Sequence, residues 1–168
     1  MTLTVEVLRS TADKLIAAHR HASLSNDWTF FVDEIYAADC IYTCEYAGVM
    51  PVIAEGIEEL KATHYGRDML VGWEGWTFPY KGVYTGSDNN LITHWMNRGP
   101  GRREDGSYYE TPGVSFISLN SEARICRQFD MFDLAHQMRL CDDLEDAGLL
   151  APQLKEQWVL PMKARLEE

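Results

Sequence analysis

Residues 124–134 read Arg-Ile-Cys-Arg-Gln-Phe-Asp-Met-Phe-Asp-Leu and set one carboxylate, Asp130, among Phe129, Met131 and Phe132. Apolar surroundings disfavour the charged form of a carboxylate and raise its pKa, which makes a general acid or base usable near neutral pH. The run before Asp130 has the aromatic and β-branched content of a strand. The run after it, with Leu134, Met138, Leu140, Cys141 and Leu144, has helical spacing. Asp130 thus stands where a strand hands over to a helix, and a second reading stays open, in which it caps that helix. Asp133 competes for the cap.

A middle strand adds an imidazole. Side chains alternate along a strand, so His94, Met96 and Arg98 share one face, and Thr93, Trp95 and Asn97 the other. Tyr42, Cys44 and Tyr46 likewise share a face on an earlier strand. With the His94 face turned inward, Asp130, His94 and Tyr42 form the catalytic set. Tyr46, Cys44, Met96, Arg98, Trp28, Phe31 and Phe132 then supply the substrate-binding walls. In such a set Asp130 removes a proton from carbon beside a carbonyl, or from water, while His94 or a tyrosine hydroxyl donates to the oxygen where negative charge develops. Plainer readings stand beside each: His94 as a hydrogen-bonded core histidine, the tyrosines as strand-favoured aromatics, and Arg98 reaching solvent from its strand end. Cys44 becomes a nucleophile only with a base beside it. His19, His21, His64 and His136 have no ligand spacing with acidic partners, so neither a metal nor another cofactor is expected.

The whole chain narrows the partners. A net charge of −11 argues against nucleic acid, because a basic stripe is needed to displace counterions from phosphates. Arg98, Arg102 and Arg103 come nearest to one, but Glu104 and Asp105 follow at once. Cys40, Cys44, Cys126 and Cys141 show no paired pattern and read as free thiols in a reducing compartment. No apolar run approaches the roughly eighteen residues of a membrane span, and the N-terminus lacks a signal-type apolar core. The expectation is a cytoplasmic protein with no membrane partner, whose 168 residues form one domain, 1–148, with a helical extension of the same domain at 149–168.

Periodicity supplies the scaffold. Residues 5–24, Trp28 to Tyr36 and Gly56 to His64 have helical stripes, the last with Ile57, Leu60 and His64 on one side. Residues 41–46 have strand character, ended by Gly48 and Pro51. Residues 73–84, 91–98, 107–119 and 123–132 read as four strands of an antiparallel meander, with Asp105-Gly106 as a hairpin signal. A helix at 134–148 and a last one from Pro152 to Leu166, interrupted by Pro161, complete the order. This is an α+β pattern: a curved antiparallel sheet wrapped by N-terminal helices, leaving a cone-shaped cavity for a small hydrophobic molecule. Trp95, Trp73 or Trp76 are candidate anchors for a homodimer.

This order, with Asn26-Asp27-Trp28 ahead of the second helix and Tyr-Ala-Ala-Asp-Cys-Ile-Tyr at 36–42, resembles the NTF2-like (cystatin-like) superfamily. Thr93-His94, Gly99-Pro100-Gly101-Arg102 and Phe129-Asp130-Met131 make it similar to the SnoaL-like polyketide cyclases within that superfamily. The resemblance covers residues 10–145. It implies a cofactor-independent cyclase, isomerase or lyase in which Asp130 is the acid/base for aldol cyclisation, isomerisation or dehydration, assisted by His94. An epoxide hydrolase of limonene-epoxide type and a non-catalytic ligand-binding protein are the alternatives. Related families differ at their catalytic positions. Ketosteroid isomerases carry their proton-shuttling aspartate where this chain has Cys44, and limonene-type hydrolases an Arg-x-Asp where it reads Met96-Asn97-Arg98.

Overall fold

The structure, a computed structural model, describes residues 2–167. Helix α1 (Val5–Ser25) begins at Thr4, whose hydroxyl accepts from the Val7 amide. Asp27 caps α2 (Trp28–Ile35) by accepting from the Phe30 amide at 2.9 Å. Both caps satisfy amides that a helix start leaves without an intrahelical acceptor. The α1 stripe of Leu8, Ala12, Leu15, Ala18 and Ala22 and the α2 face of Trp28, Phe31, Val32 and Ile35 are buried together.

Six strands follow: β1 (Tyr36–Cys44), β2 (Val52–Glu55), β3 (Tyr80–Thr85), β4 (Asn90–Arg98), β5 (Glu110–Leu119) and β6 (Ile125–Phe132). Their spatial order is β2-β1-β6-β5-β4-β3. The last four form the expected antiparallel meander. Strand β1 joins β6 in parallel, so the α+β sheet is mixed, with Cys44 paired to Asp130.

Two strand expectations change. Strand β2 exists because Ala47 (φ 49°) and Gly48 (φ 76°) form a two-residue turn, across which Tyr46 and Val49 exchange backbone hydrogen bonds. Two left-handed residues make the turn whose twist suits a hairpin. Alanine is an unusual occupant there, which is why Gly48 reads from sequence as the end of a strand. Residues 73–79, expected to begin the next strand, instead form a loop in which Gly75 has positive φ, as does Gly72 just before it; ladder pairing starts at Tyr80.

Helix α3 (Ile57–Ala62) is shorter than expected and passes into a π-turn at His64–Asp68. The Asp68 amide reaches the Thr63 carbonyl and the Met69 amide reaches that of His64, both at 2.9 Å and both five residues apart. Helix α4 (Leu134–Asp146) starts at Asp133, which accepts from the His136 amide at 2.8 Å. Asp133 is therefore the cap, and Asp130 lies inside β6.

The tail stays helical through Pro161: α5 (Pro152–Leu154), a second π-turn (Lys155–Val159) and α6 (Leu160–Leu166). Pro161 follows directly on the π-turn, where the Leu160 amide reaches the Lys155 carbonyl five residues back. Buried Leu154 and Val159 anchor the tail in a second core with Leu134, Met138, Cys141 and Leu144 of α4 and with Trp76.

Gly113 on β5 pairs with Trp95 on β4, and a Cβ there would lie 2.2 Å from the indole ring. The bare glycine lets that ring lie across β5. Gly113→Ala is expected to destabilise the fold by about 1–3 kcal/mol through overpacking, read as a lower midpoint in urea unfolding.

Candidate active site

The cross-strand register Thr93–Ser115–Asp130 defines the inner face of the sheet. Trp95, Asn97, Ser115, Gln128, Asp130 and Phe132 project from it into a cavity of about 180 Å³. Helix α1 contributes His19, α2 Trp28, the first π-turn His64, Tyr65 and Asp68, and the 73–79 loop Trp73 and Phe78. Trp158 of the second π-turn closes one wall, its ring 5.6 Å from that of Trp73 and 6.4 Å from that of Phe132. The tail is thus part of the cavity wall.

Asp130 is 8% exposed. Its Oδ2 accepts from the Tyr42 hydroxyl at 2.7 Å and its Oδ1 from the Gln128 amide at 2.8 Å. Ser115, directly opposite on β5, hydrogen-bonds it as well, and Ser115 Oγ in turn accepts from Trp95 Nε1 at 2.8 Å. Tyr36 orients Gln128 by donating to its Oε1 at 2.6 Å, and the Tyr65 hydroxyl lies 3.0 Å from that of Tyr36. Burial pushes the Asp130 pKa upward; the bonds from Ser115, Tyr42 and Gln128 pull it down without cancelling the rise.

The Tyr42 hydroxyl also lies 3.0 Å from His64 Nε2, and the two rings stack at 4.5 Å. Burial pushes the Tyr42 phenol well above its ordinary value, reinforced by the Asp130 charge, so it remains a hydroxyl donor. Burial lowers His64 to about 4, leaving a neutral imidazole at pH 7. His19, stacked on Tyr80 with ring centroids 4.0 Å apart, is lowered to about 4 by the same cause.

Of the residues singled out from sequence, Asp130, Tyr42, Tyr46, Cys44, Trp28 and Phe132 meet at the cavity. His94, Met96 and Arg98 do not, because they occupy the alternate positions of β4 and so the opposite face. Arg98 there pairs with Glu110 at 2.7 Å and lies over the Tyr108 ring. Phe31 is one layer back, buried against His19, Trp28 and Tyr65. Burial drives the Cys44 thiol to about 12, which removes it as a nucleophile at neutral pH. Trp95, Trp73 and Trp76 are turned to the cavity or the second core, and none is free to anchor a dimer. The imidazole that meets Tyr42 beside Asp130 is His64. A π-turn has no compositional signature, so in sequence His64 reads as the last residue of an amphipathic helix. Among the described residues no cluster of three or more His, Cys, Asp or Glu side chains could hold a metal, and no helix is long and apolar enough to cross a membrane.

Because His19 and His64 take up protons only at about 4 in the folded chain but near 6.5 when unfolded, the unfolded state binds more protons between those values. Stability therefore falls as pH drops through that window. His19→Phe, which keeps the ring packing, is expected to shrink the fall in melting temperature between pH 7 and pH 5.

No protein-family model matches the chain, and no curated protein matches it. Solved structures do. An NTF2-like protein of unknown function from Burkholderia pseudomallei aligns at TM-score 0.58 and 16% identity, covering 77% of this chain and 96% of that one. A proposed isomerase of the SnoaL-like family from Agrobacterium tumefaciens aligns at 0.55 and 19%, covering 77% and 99%. An LEH-like epoxide hydrolase from M. tuberculosis aligns at 0.55 and 16%, covering 78% and 89%. At these identities the similarity is one of architecture, and it agrees with the order of helices and the mixed six-stranded sheet described above: the chain has the NTF2-like fold.

Proposed function

We propose that the protein is a cofactor-independent acid/base enzyme acting on a small, uncharged, hydrophobic carbonyl compound. The observation that carries this reading is a buried carboxylate that faces a cavity and, among the described residues, is held by neutral donors alone. In it Asp130 takes a proton from carbon beside the carbonyl. Tyr42, protonated, holds the carboxylate in place by donating to its Oδ2, and the aromatic walls exclude water. His64 takes the assisting place that the resemblance gives to His94. The reaction class is isomerisation, dehydration or aldol closure.

Size and charge refine the substrate. A dry cavity of roughly 150 Å³ holds a benzene ring, so about 180 Å³ suits one ring with a short substituent rather than a fused polyketide. Among the described residues no lysine or arginine lines the cavity, both histidines are neutral, and Asp68 and Asp130 add negative charge. An anion would be desolvated there without a partner. Acetophenone is expected to quench the cavity tryptophans at least about tenfold more tightly than benzoate, which has a similar shape; equal binding would refute the charge argument.

The chemistry is tested without knowing the natural substrate. Small cyclic ketones and enones incubated with the protein in D2O are expected to exchange their α-protons, followed by NMR. Asp130→Asn should cut the rate by about 10²-fold or more, and Tyr42→Phe should cut it less. Unchanged exchange in Asp130→Asn, with ligand affinity kept, would favour the binding-protein reading. The same Tyr42–Asp130 pair suits activation of water for epoxide opening. That reading lacks its carboxylate on the middle strand: Asn97 faces the cavity from β4, bonded to Gln137 at 3.1 Å. Label from H2¹⁸O in a diol product would decide for it.

The homodimer is proposed through the outer face of the sheet, where Tyr84, Phe116 and Met131 are exposed and Phe116 stacks on Phe129. A second copy is the occupant that buries this face. Light scattering is expected to give twice the monomer mass, and Phe116→Asp to return it to monomer.

A further inference from the structure

A tyrosine hydroxyl carries one proton and so can satisfy only one of two neighbouring acceptors. Tyr42 stands between two, 2.7 Å from Asp130 Oδ2 and 3.0 Å from His64 Nε2. When its proton points to an ionised Asp130, the contact with His64 requires Nε2–H to donate to the phenol oxygen. When Asp130 is protonated and donates to that oxygen, the Tyr42 proton turns to His64, whose Nε2 must then be bare and whose proton sits on Nδ1. The ionisation of Asp130 and the tautomer of His64 are thereby tied through one hydroxyl.

The far end of this chain reaches the rim. Asp68 lies on the same π-turn as His64, its charge acts on the imidazole, and its side chain is 44% exposed beside Arg67. We propose that Asp130, Tyr42 and His64 form a proton relay between the buried carboxylate and the cavity rim, with His64 changing tautomer as each proton passes. Outward, the Asp130 O–H bond breaks as its proton joins Tyr42 Oη. The Tyr42 proton moves to His64 Nε2, and the Nδ1 proton leaves to water or to the Asp68 carboxylate. Three bonds to hydrogen break and three form; Asp130 gains the negative charge and the acceptor at the rim gains the proton.

The relay accounts for a need that the walls create. A ligand filling the cavity shuts Asp130 off from water, yet a base must shed or regain its proton between turnovers. The groups facing the relay do not compete for that proton. Ser115 and Gln128 beside Asp130 do not titrate in this range, and burial keeps Tyr36, Tyr46, Tyr65, Tyr80 and Cys44 protonated. Around the imidazole stand Tyr42, Tyr65, with ring centroids 4.8 Å apart, and Asp68.

The proposal shares its site with the enzymatic reading, but its test needs no substrate. With ¹⁵N-histidine and ¹³C-labelled aspartate, a pH titration followed by NMR reads the His64 tautomer and the Asp130 carboxyl together. The expected result is a switch of His64 from the Nδ1–H to the Nε2–H pattern at the midpoint where Asp130 ionises. In Tyr42→Phe the carboxyl still titrates and the switch at that midpoint is lost. A His64 that keeps one tautomer while Asp130 titrates in the unaltered protein overturns the relay, as does a switch unchanged in Tyr42→Phe. The titration of the unaltered protein decides alone if that variant fails to fold. Coupled titration without any α-proton exchange would sink the enzymatic reading and leave the relay standing.

Discussion

The structure is organised around the cost of burying one ionisable carboxylate. Asp130 is placed on the inner face of a sheet, under helices, and among the described residues no cation hydrogen-bonds it. A buried carboxylate is tolerated when donors surround it or when it takes up a proton. Here the donors arrive from three elements: Tyr42 from β1, Ser115 from β5 and Gln128 from β6 itself. Each is held by a further partner, Ser115 by Trp95, Gln128 by Tyr36, and Tyr42 by His64. Neutral donors stabilise the charge less than a guanidinium would, so the upward shift that burial gives the carboxyl is reduced but not cancelled.

The parallel pairing of β1 with β6 is what makes the arrangement work. It aligns Cys44 with Asp130 and brings Tyr42, two positions earlier on the same face, to the carboxylate. Antiparallel β5 then sets Ser115 directly across from Asp130. Gly113, two residues before Ser115, clears the space in which the Trp95 indole reaches Ser115.

Much of this is legible in the residues. Asp130 announces itself by its aromatic neighbours, and Tyr42, Cys44 and Tyr46 by their alternation on one strand. The helices up to Ile35 and the four-strand meander follow from periodicity and turn chemistry. Alternation divides β4 into two faces but is silent on which one points inward. The answer lies in the register with β5 and β6, a non-local property, so alternation alone leaves His94, Met96 and Arg98 free to be placed on the wrong side. His64 is hidden for a different reason. A helical stripe over 56–64 predicts a regular helix, whereas the backbone changes its hydrogen-bonding step at Thr63 and re-aims the side chains beyond that point. The hairpin at Ala47-Gly48 escapes because one of its two left-handed positions is an alanine.

Two of the segments that wall the cavity from outside the sheet are π-turns, His64–Asp68 and Lys155–Val159. Each holds the equivalent of one extra residue within a helical path. Since successive helical residues are spaced by about 100° around the axis, deleting one residue from either turn would restore ordinary winding and turn the side chains that follow on the same helical path onto a different bearing. In a lineage of such proteins, gain or loss of a single codon at these two places would redraw the cavity wall in one step while leaving the six-stranded platform and its acidic centre in place.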